Sequence, residues 1–562
     1  MLKLVLLLSC CLDAIIAARP TRNPNPNIIL ILTDDQSDAF MRDYDAVHQP
    51  LLSKHITERG ATIKNSFTTT AVCCPSRSSI YTGKYISSLG VHNNSAGSGG
   101  CASLEWQNGP EKNNIAHFLS SMMGYKTSFA GKYLNNYGFG SKNGTAFSYP
   151  QCLNATANME SVGMENTCAS PVEHIPQGWD NWQGLVGNSV YYNYTLSNNG
   201  IAEVHGDDYH ADYLTDLVKN RSLTFMKDMI ASGSPFFVTA SVPAAHENAD
   251  AAPQHQGYAD GLVAPRTPNY NRVMDDGRHW MAGEGLNVDG KGMNESVASF
   301  VDLLYRRRLN ALQSVDDLID EFATTLEDLG ELDNTFIIYT SDNGYHLGQF
   351  GIPIDKRQAY ESDVRVPLIV KGPGIQQNVT IDASYALNID LAPTIMAMAG
   401  ATEDQIASIG FEGKPILGLL QTGTTERESE FMFEYNGEAW DGCASYLAND
   451  ISGVYFDTDK KFADGVQCGL RGAWSYSTPP VWEGETWSSV QDNVNNTYTC
   501  LRRIEAGDDF QFCAFTLTGE AEAYDLVKDP YQLNNLANDM SDDEKSTYYA
   551  KIKALREKNN FS

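Results

Sequence analysis

Positive charge is scarce in this chain of 562 residues: 40 Lys and Arg stand against 70 Asp and Glu, a formal net charge of −30. That balance argues against nucleic acid as a general partner, because binding a polyphosphate needs a surface excess of Lys and Arg. It does not exclude a small anion, which a local cluster of cations or a metal holds even inside an acidic protein. Apolar runs long enough to cross a bilayer are also missing, so membrane insertion is not expected. The chain has no low-complexity tract, heptad or short repeat, and no His/Cys spacing of the zinc type.

What remains is ordinary globular composition, 42% hydrophobic and 20% charged. The length allows several domains, or one large α/β domain with a smaller partner. Residues 1–18 read as a secretory signal, with Lys3 as the positive start, Leu4 to Cys11 as the apolar core and Ala17-Ala18 as the cleavage site. Asn-x-Ser/Thr sequons at Asn93, Asn143, Asn154, Asn193, Asn220, Asn294, Asn378, Asn495 and Asn560 also point to the secretory pathway, with a secreted, extracellular or lysosomal destination. With Cys10 and Cys11 removed and Cys73 reserved for chemistry, the other cysteines are Cys74, Cys101, Cys152, Cys168, Cys443, Cys468, Cys500 and Cys513. Disulfides within the early group and within the late group are the expectation.

Several apolar runs end in polar clusters. Asn27 to Thr33 reads as a buried parallel strand followed by Asp34-Asp35-Gln36. Asn334 to Thr340 reads the same way, followed by Ser341-Asp342-Asn343-Gly344. In open α/β sheets, ligands bind outside the carboxyl ends of strands. Asp34, Asp35, Asp342 and Asn343 together suit a hard divalent cation, while the bland reading of the first pair is one capping and one solvated Asp. A strand-helix unit spans Ile115 to Phe129 and leads to Gly131-Lys132. Pro235 to Ala240 is a further strand, running on to His246. Tyr209 to Ala231 and Ser296 to Leu329 have helical periodicity. On the second helix, Arg306 to Arg308, Asp316 and Asp317 read as a solvated face. Residues 143–205 and 249–295 read as a long surface excursion and an irregular insertion. After about Thr425 the texture becomes that of an antiparallel sheet, closed by a helix from about Asp542 to Lys558.

The stretch Cys73-Cys74-Pro75-Ser76-Arg77 precedes a short helix. On its own it is either a nucleophile at a helix N-terminus or a structural cysteine pair. Set beside two acidic strand ends and the cations Arg77, Lys132 and Lys356, it belongs to a site for a tetrahedral oxyanion.

These residues carry a resemblance. Cys73-Cys74-Pro75-Ser76-Arg77 with Thr82-Gly83 is similar to the C-x-P-S-R-x-x-x-x-T-G signature of type I sulfatases. Asp34-Asp35-Gln36, Gly131-Lys132, Ser341-Asp342-Asn343-Gly344, Lys356 with Tyr360-Glu361, Asp390 to Thr394 and Tyr524-Asp525-Leu526 follow in family order. The resemblance implies an α/β, alkaline-phosphatase-like fold. A large mixed sheet flanked by helices would occupy 19–425, and a smaller subdomain with an antiparallel sheet and terminal helix would occupy 426–562. It implies hydrolysis of sulfate monoesters through a formylglycine hydrate made from Cys73, with a sulfated-enzyme intermediate. A formylglycine-generating enzyme would be the maturation partner. One Ca²⁺, with Mg²⁺ the lesser candidate, would sit among Asp34, Asp35, Asp342, Asn343 and the modified Cys73. Arg77 would steady the formylglycine, and Lys132, His246 and Lys356 would bind sulfate, His246 or Lys356 protonating the leaving oxygen.

Leu134-Asn135 stands where many members have a His two residues after the lysine, and this version resembles the N-acetylglucosamine-6-sulfatase and eukaryotic arylsulfatase branch. Ala245 and Asn248 replace the prolines common around His246. The substrate is then a sulfated small molecule or a sulfated glycan, with His92 and His346 as candidate contacts. The competing readings are a phosphate or phosphonate ester hydrolase of the same superfamily and a secreted glycan-binding pseudo-sulfatase.

Overall fold

The computed structural model describes residues 25–38, 45–139, 171–274, 292–424, 427–437, 470–473, 490–493 and 496–558. The signal segment, the sequons Asn143, Asn154, Asn495 and Asn560, and the cysteines Cys152, Cys168, Cys443 and Cys468 lie outside the described residues.

The central strand, β1 (Asn27–Thr33), is buried at every position. Its side chains alternate between two cores. Ile29 and Ile31 join one cluster, and Ile28, Leu30 and Leu32 join the other. A strand covered on both faces has no use for polar alternation, which is why its sequence is a continuous apolar run.

The strands that share its sheet are β2 (Ala61–Phe67), β3 (Lys126–Lys132), β4 (Asn181–Leu185), β5 (Thr195–Asn198), β6 (Ile201–Val204), β7 (Phe236–Ser241), β8 (Thr335–Ser341), β9 (Leu368–Lys371) and β10 (Val379–Leu387). They form a ten-stranded mixed sheet in the order β10-β2-β9-β8-β1-β7-β3-β4-β5-β6. β8, β1, β7, β3 and β4 run parallel. Thr33 pairs with Ser341, and Gly131 with Ser241, so these strands release their following residues at one edge.

The helices that flank the sheet are α1 (Cys73–Thr82), α2 (Ile115–Met123), α3 (Leu214–Ser232), α4 (Glu295–Asp328) and α5 (Leu391–Met398). Residues of α3 and α4 belong to one cluster, and those of α1, α2 and α5 to the other. Beyond the sheet, β11 (Glu430–Tyr435), β12 (Leu470–Ala473), β13 (Val490–Asn493), β14 (Tyr498–Glu505), β15 (Asp508–Phe515) and β16 (Ala521–Asp525) follow. β11, β14, β15 and β16 make a four-stranded antiparallel sheet, and β12 pairs with β13. The final helix, α6 (Asp542–Lys558), lays Tyr548 on Phe510 and Phe512. The α/β fold with a small antiparallel C-terminal sheet is the expected one.

Three sequence readings are corrected. The stretch taken as a surface excursion up to residue 205 contains β4, β5 and β6 of the main sheet. Trp182 in β4 is fully buried and stacks on Phe129 at 4.8 Å. Strands of four and five residues among Asn and Gly are too short to show a period. The helix expected over Tyr209 to Ala231 is two, Tyr209–Asp212 and α3, separated at Tyr213, whose backbone is extended. The charged face of α4 is only partly solvated. Arg307 is half-buried, but Arg308 is 6% exposed and Asp316 2%. Asp316 accepts hydrogen bonds from the backbone N–H groups of Leu51 and Leu52.

Candidate active site

The site is assembled at the carboxyl edge of β1, β8, β3 and β7. Asp34 and Asp35 leave β1, and Asp342 and Asn343 leave β8. The backbone N–H groups of Asp35 and Asn343 both donate to Asp342 Oδ1, at 3.1 and 2.8 Å. Asp34 exchanges backbone hydrogen bonds with Ala244 and Ala245. The loop after β7, which carries His246, is thereby tied to the end of β1. Tyr191 Oη donates to the carbonyls of Pro243 and His246.

Cys73 opens α1, a helix in which all ten residues are buried. Polar residues fix the helix to both neighbours. Ser76 Oγ donates to the carbonyl of Asp342, and Asn388 Nδ2 donates to Ser76 Oγ. Gly83 ends the helix at φ 65°, where an added Cβ would meet Phe411 at 2.6 Å. Cys74 is bonded to Cys101, and its backbone N–H donates to Asn94 Oδ1. Of the two readings of the cysteine pair, each holds for one member: Cys74 is structural and Cys73 is a free, buried thiol. The other disulfide among the described residues joins Cys500 to Cys513, cross-strand partners of β14 and β15. Both pairings stay within their own group, as expected.

Cys73 Sγ lies 3.9 Å from Asp34 Oδ1 and 4.0 Å from Asp35 Oδ1. Each carboxylate has its own cation. Lys132 Nζ donates to Asp34 at 2.6 Å, Lys356 Nζ to Asp35 at 2.8 Å, and Arg77 Nε to Asp342 at 2.7 Å. Arg77 Nη1 also donates to Ser241 Oγ and the Lys132 carbonyl. His246 Nε2 is 3.8 Å from Asp35 Oδ2. The residues expected to serve as nucleophile, cation ligands and sulfate ligands are therefore gathered at this one edge.

Burial alone would raise the Asp34 carboxyl, but Lys132, Arg77, His246 and Lys356 hold it well below the usual carboxylate range. Burial pushes the Cys73 thiol up to about 12, against the pull of Lys132 and Lys356. An unmodified thiol here is protonated at neutral pH and is a poor nucleophile.

The donor chemistry of the acidic cluster suits a cation. Carboxylate oxygens of Asp34, Asp35 and Asp342 all lie within 4.8 Å of one another. Asn343 gives its amide N–H to Asp35 Oδ1 and the Gly344 carbonyl, and leaves Oδ1 buried without a partner. A buried orphan acceptor beside three carboxylates fits a hard, oxygen-seeking divalent cation. Three carboxylates and the cations of Lys132, Lys356 and Arg77 cancel in formal charge. A divalent cation would leave the site positive and ready for an oxyanion.

Sequence reasoning passed over some neighbours. Ser189 Oγ donates to Asp34 Oδ2 from the segment read as a surface excursion. Arg308 donates to the carbonyls of Asp35 and Ala245. Its place among Leu304, Ala311, Leu312 and Val315 on the apolar stripe of α4 is the signal that could have found it. Asp355 and Arg357 flank Lys356 and pair with each other. His346 is buried with Nδ1 3.0 Å from Asp363 Oδ1, and His92 Nδ1 accepts from Asn436 Nδ2 at 2.9 Å.

Residues 26–401 match the family model described as Sulfatase. The N-acetylglucosamine-6-sulfatase of Homo sapiens is 38% identical over 535 residues, covering 95% of this chain and 84% of that protein. The arylsulfatase of Volvox carteri is 26% identical over 572 residues, covering 96% and 75%. Among solved structures, that of BT4656 in complex with its substrate D-glucosamine-2-N,6-O-disulfate superposes with a TM-score of 0.66 at 21% identity, covering 95% of this chain and 98% of that one. The chain belongs to the sulfatase family and is a sulfuric ester hydrolase.

Proposed function

We propose that this chain removes sulfate from 6-sulfated glucosamine residues of glycans, using a formylglycine made from Cys73 and one Ca²⁺. The observation that supports the substrate is the 38% identity across 95% of the chain to a protein named N-acetylglucosamine-6-sulfatase. Aryl sulfate is the second reading, favoured by the Volvox carteri relative at lower identity.

A formylglycine at position 73 would supply, as its hydrate, a geminal diol with one hydroxyl for attack and a second whose deprotonation re-forms the aldehyde as sulfate leaves, a route that a cysteine thiol lacks. Asp34, Asp35, Asp342 and the free Oδ1 of Asn343 would hold the cation, which supplies charge stabilisation to the sulfate oxygens. The chain's own residues do the rest. Lys132 and Lys356 present fixed ammonium groups to the sulfate. Arg77, locked by Asp342, Ser241 and the Lys132 carbonyl, orients the residue at position 73. His246 and Lys356 both lie beside Asp35, and one of them carries the proton to the leaving alcohol oxygen.

Conversion of Cys73 by a formylglycine-generating enzyme places maturation in the secretory pathway. The exposed sequon residues Asn193, Asn220, Asn294 and Asn378 would carry glycans there, while Asn93 is half-buried, with its Oδ1 bonded to the N–H of Ser95. No helix among the described residues is long and apolar enough to cross a membrane. The division into a catalytic unit, 19–425, and a C-terminal unit, 426–562, is part of the same reading.

The test is a desulfation screen with protein whose Cys73 peptide mass verifies formylglycine. We expect kcat/KM on 6-O-sulfated N-acetylglucosamine to exceed that on an aryl sulfate by about tenfold or more. A preference for aryl sulfate would favour the second reading, and faster cleavage of the matching phosphate or phosphonate ester would overturn the proposal.

A further inference from the structure

Arg308 projects from α4 into the site although it is neither nucleophile, cation ligand nor sulfate ligand in the reading above. It is 6% exposed. Among the described residues its partners are two main-chain carbonyls and an aromatic face. Nη1 donates to the carbonyl of Ala245 at 2.8 Å, Nη2 donates to the carbonyl of Asp35, and the guanidinium carbon lies 4.2 Å from the centroid of the Tyr345 ring.

Both carbonyls belong to residues whose placement matters. Asp35 has φ 62°, the left-handed region that a non-glycine residue occupies only when its surroundings hold it there. Ala245 immediately precedes His246. Tyr345 connects further groups, since Lys356 Nζ lies 5.6 Å from its ring centroid and its hydroxyl lies 3.4 Å from Glu247 Oε2. One guanidinium therefore spans from the Asp35 backbone to the His246 loop while resting on a ring that also neighbours Lys356. A planar fork can satisfy two carbonyls and stack at once, whereas an ammonium is a point donor.

We propose that Arg308 is a positioning residue that sets Asp35 and His246 relative to each other, with the Tyr345 ring aligning Arg308 and Lys356. The inference rests on the proposed function only for the roles given to Asp35 and His246. Its consequence for cation binding is independent of the substrate.

The test compares Arg308→Lys and Arg308→Ala with the unaltered protein, all with verified formylglycine. Calcium binding is measured by titration calorimetry, and kcat and KM on whichever sulfate ester the parent hydrolyses best. Both variants are expected to weaken calcium by about tenfold and to lose about 100-fold in kcat, with KM changed less than about threefold. Guanidinium ion added at millimolar concentration should restore part of the lost kcat to Arg308→Ala, and equal ammonium should not. If Arg308→Ala does not fold, Arg308→Lys carries the comparison. Calcium affinity and kcat within about twofold of the parent in the folded variants, or a loss confined to melting temperature, would overturn the proposal. A parent that binds calcium yet hydrolyses no sulfate ester would instead overturn the functional reading and leave the calcium comparison standing.

Discussion

Lys132 and Asp34 meet at 2.6 Å with both side chains fully buried, one from the end of β3 and one from the end of β1. One strand, β7, separates β1 from β3, so the pair reaches across it. Removing Lys132 takes the shortest cation contact from a fully buried carboxylate, leaving Arg77 Nη2 at 3.6 Å. Lys132→Met is expected to lower stability by about 3–5 kcal/mol, read from denaturant unfolding. It should also lower kcat/KM by at least about 100-fold, since a fixed cation at the reacting anion is lost. Activity within tenfold of the parent would remove Lys132 from the sulfate-binding set.

Cation removal offers a separate check. Exhaustive chelation should abolish turnover, and Ca²⁺ should restore it better than Zn²⁺, because the cluster offers carboxylate and amide oxygens. Asn343→Leu keeps the branched shape but removes the orphan acceptor, together with the amide N–H groups given to Asp35 and Gly344. Its calcium affinity is expected to fall by about tenfold, measured by calorimetry. Undiminished affinity would place the cation elsewhere.

Glu361 joins the two sheets and predicts a pH dependence. It accepts from Arg365 Nε in the main domain and from Arg502 Nη1 in β14. Burial would raise its carboxyl, but Arg365 and then Arg502 bring it down to about 2 from 4.5. A depressed carboxylate stabilises the fold above its unfolded value and loses that contribution as pH falls through the folded one. The window therefore runs downward from about pH 4.5 to about pH 2, with roughly 3 kcal/mol at stake. Melting temperatures of the parent and Glu361→Gln should differ most near neutrality and converge towards pH 2. A gap constant with pH would mean that packing, not charge, is what Glu361 contributes.

The Cys74–Cys101 bond closes a segment with a sequence separation of 27. Removing both cysteines (Cys74→Ser with Cys101→Ala) is expected to cost roughly 3–4 kcal/mol from restored unfolded-chain entropy. Activity should fall too, because Asn94, which accepts from the backbone N–H of Cys74, sits on the tethered segment. Equal melting temperatures with and without the bond would contradict this.

The parts legible in the sequence were those where one physical demand dominates. β1 and β8 are covered on both faces and so spell apolar runs, and the acids that follow them stand out because buried carboxylates need cations beside them. The Cys73 stretch was legible through its resemblance. The parts missed are those where the decisive partner is distant along the chain. Ser189 meets Asp34 across a separation of 155 residues, and Arg308 meets Asp35 across 273. Nothing local distinguishes Ser189 from an ordinary serine, and Arg308 is marked only by its place on the apolar stripe of α4. β4 was missed for a different reason: Trp182 is buried by neighbours on β3 and α2's side of the sheet, while its own strand is too brief to announce itself.

Cys73 is 1% exposed, and the helix it opens is buried throughout. Any enzyme that rewrites this side chain must meet it before the domain closes. On the proposed formylglycine reading, maturation then has a deadline: a chain that folds with its thiol intact would be closed to the modifying enzyme, and the active fraction of a preparation would be set during synthesis, so that specific activity would report on the history of the chains as much as on their chemistry.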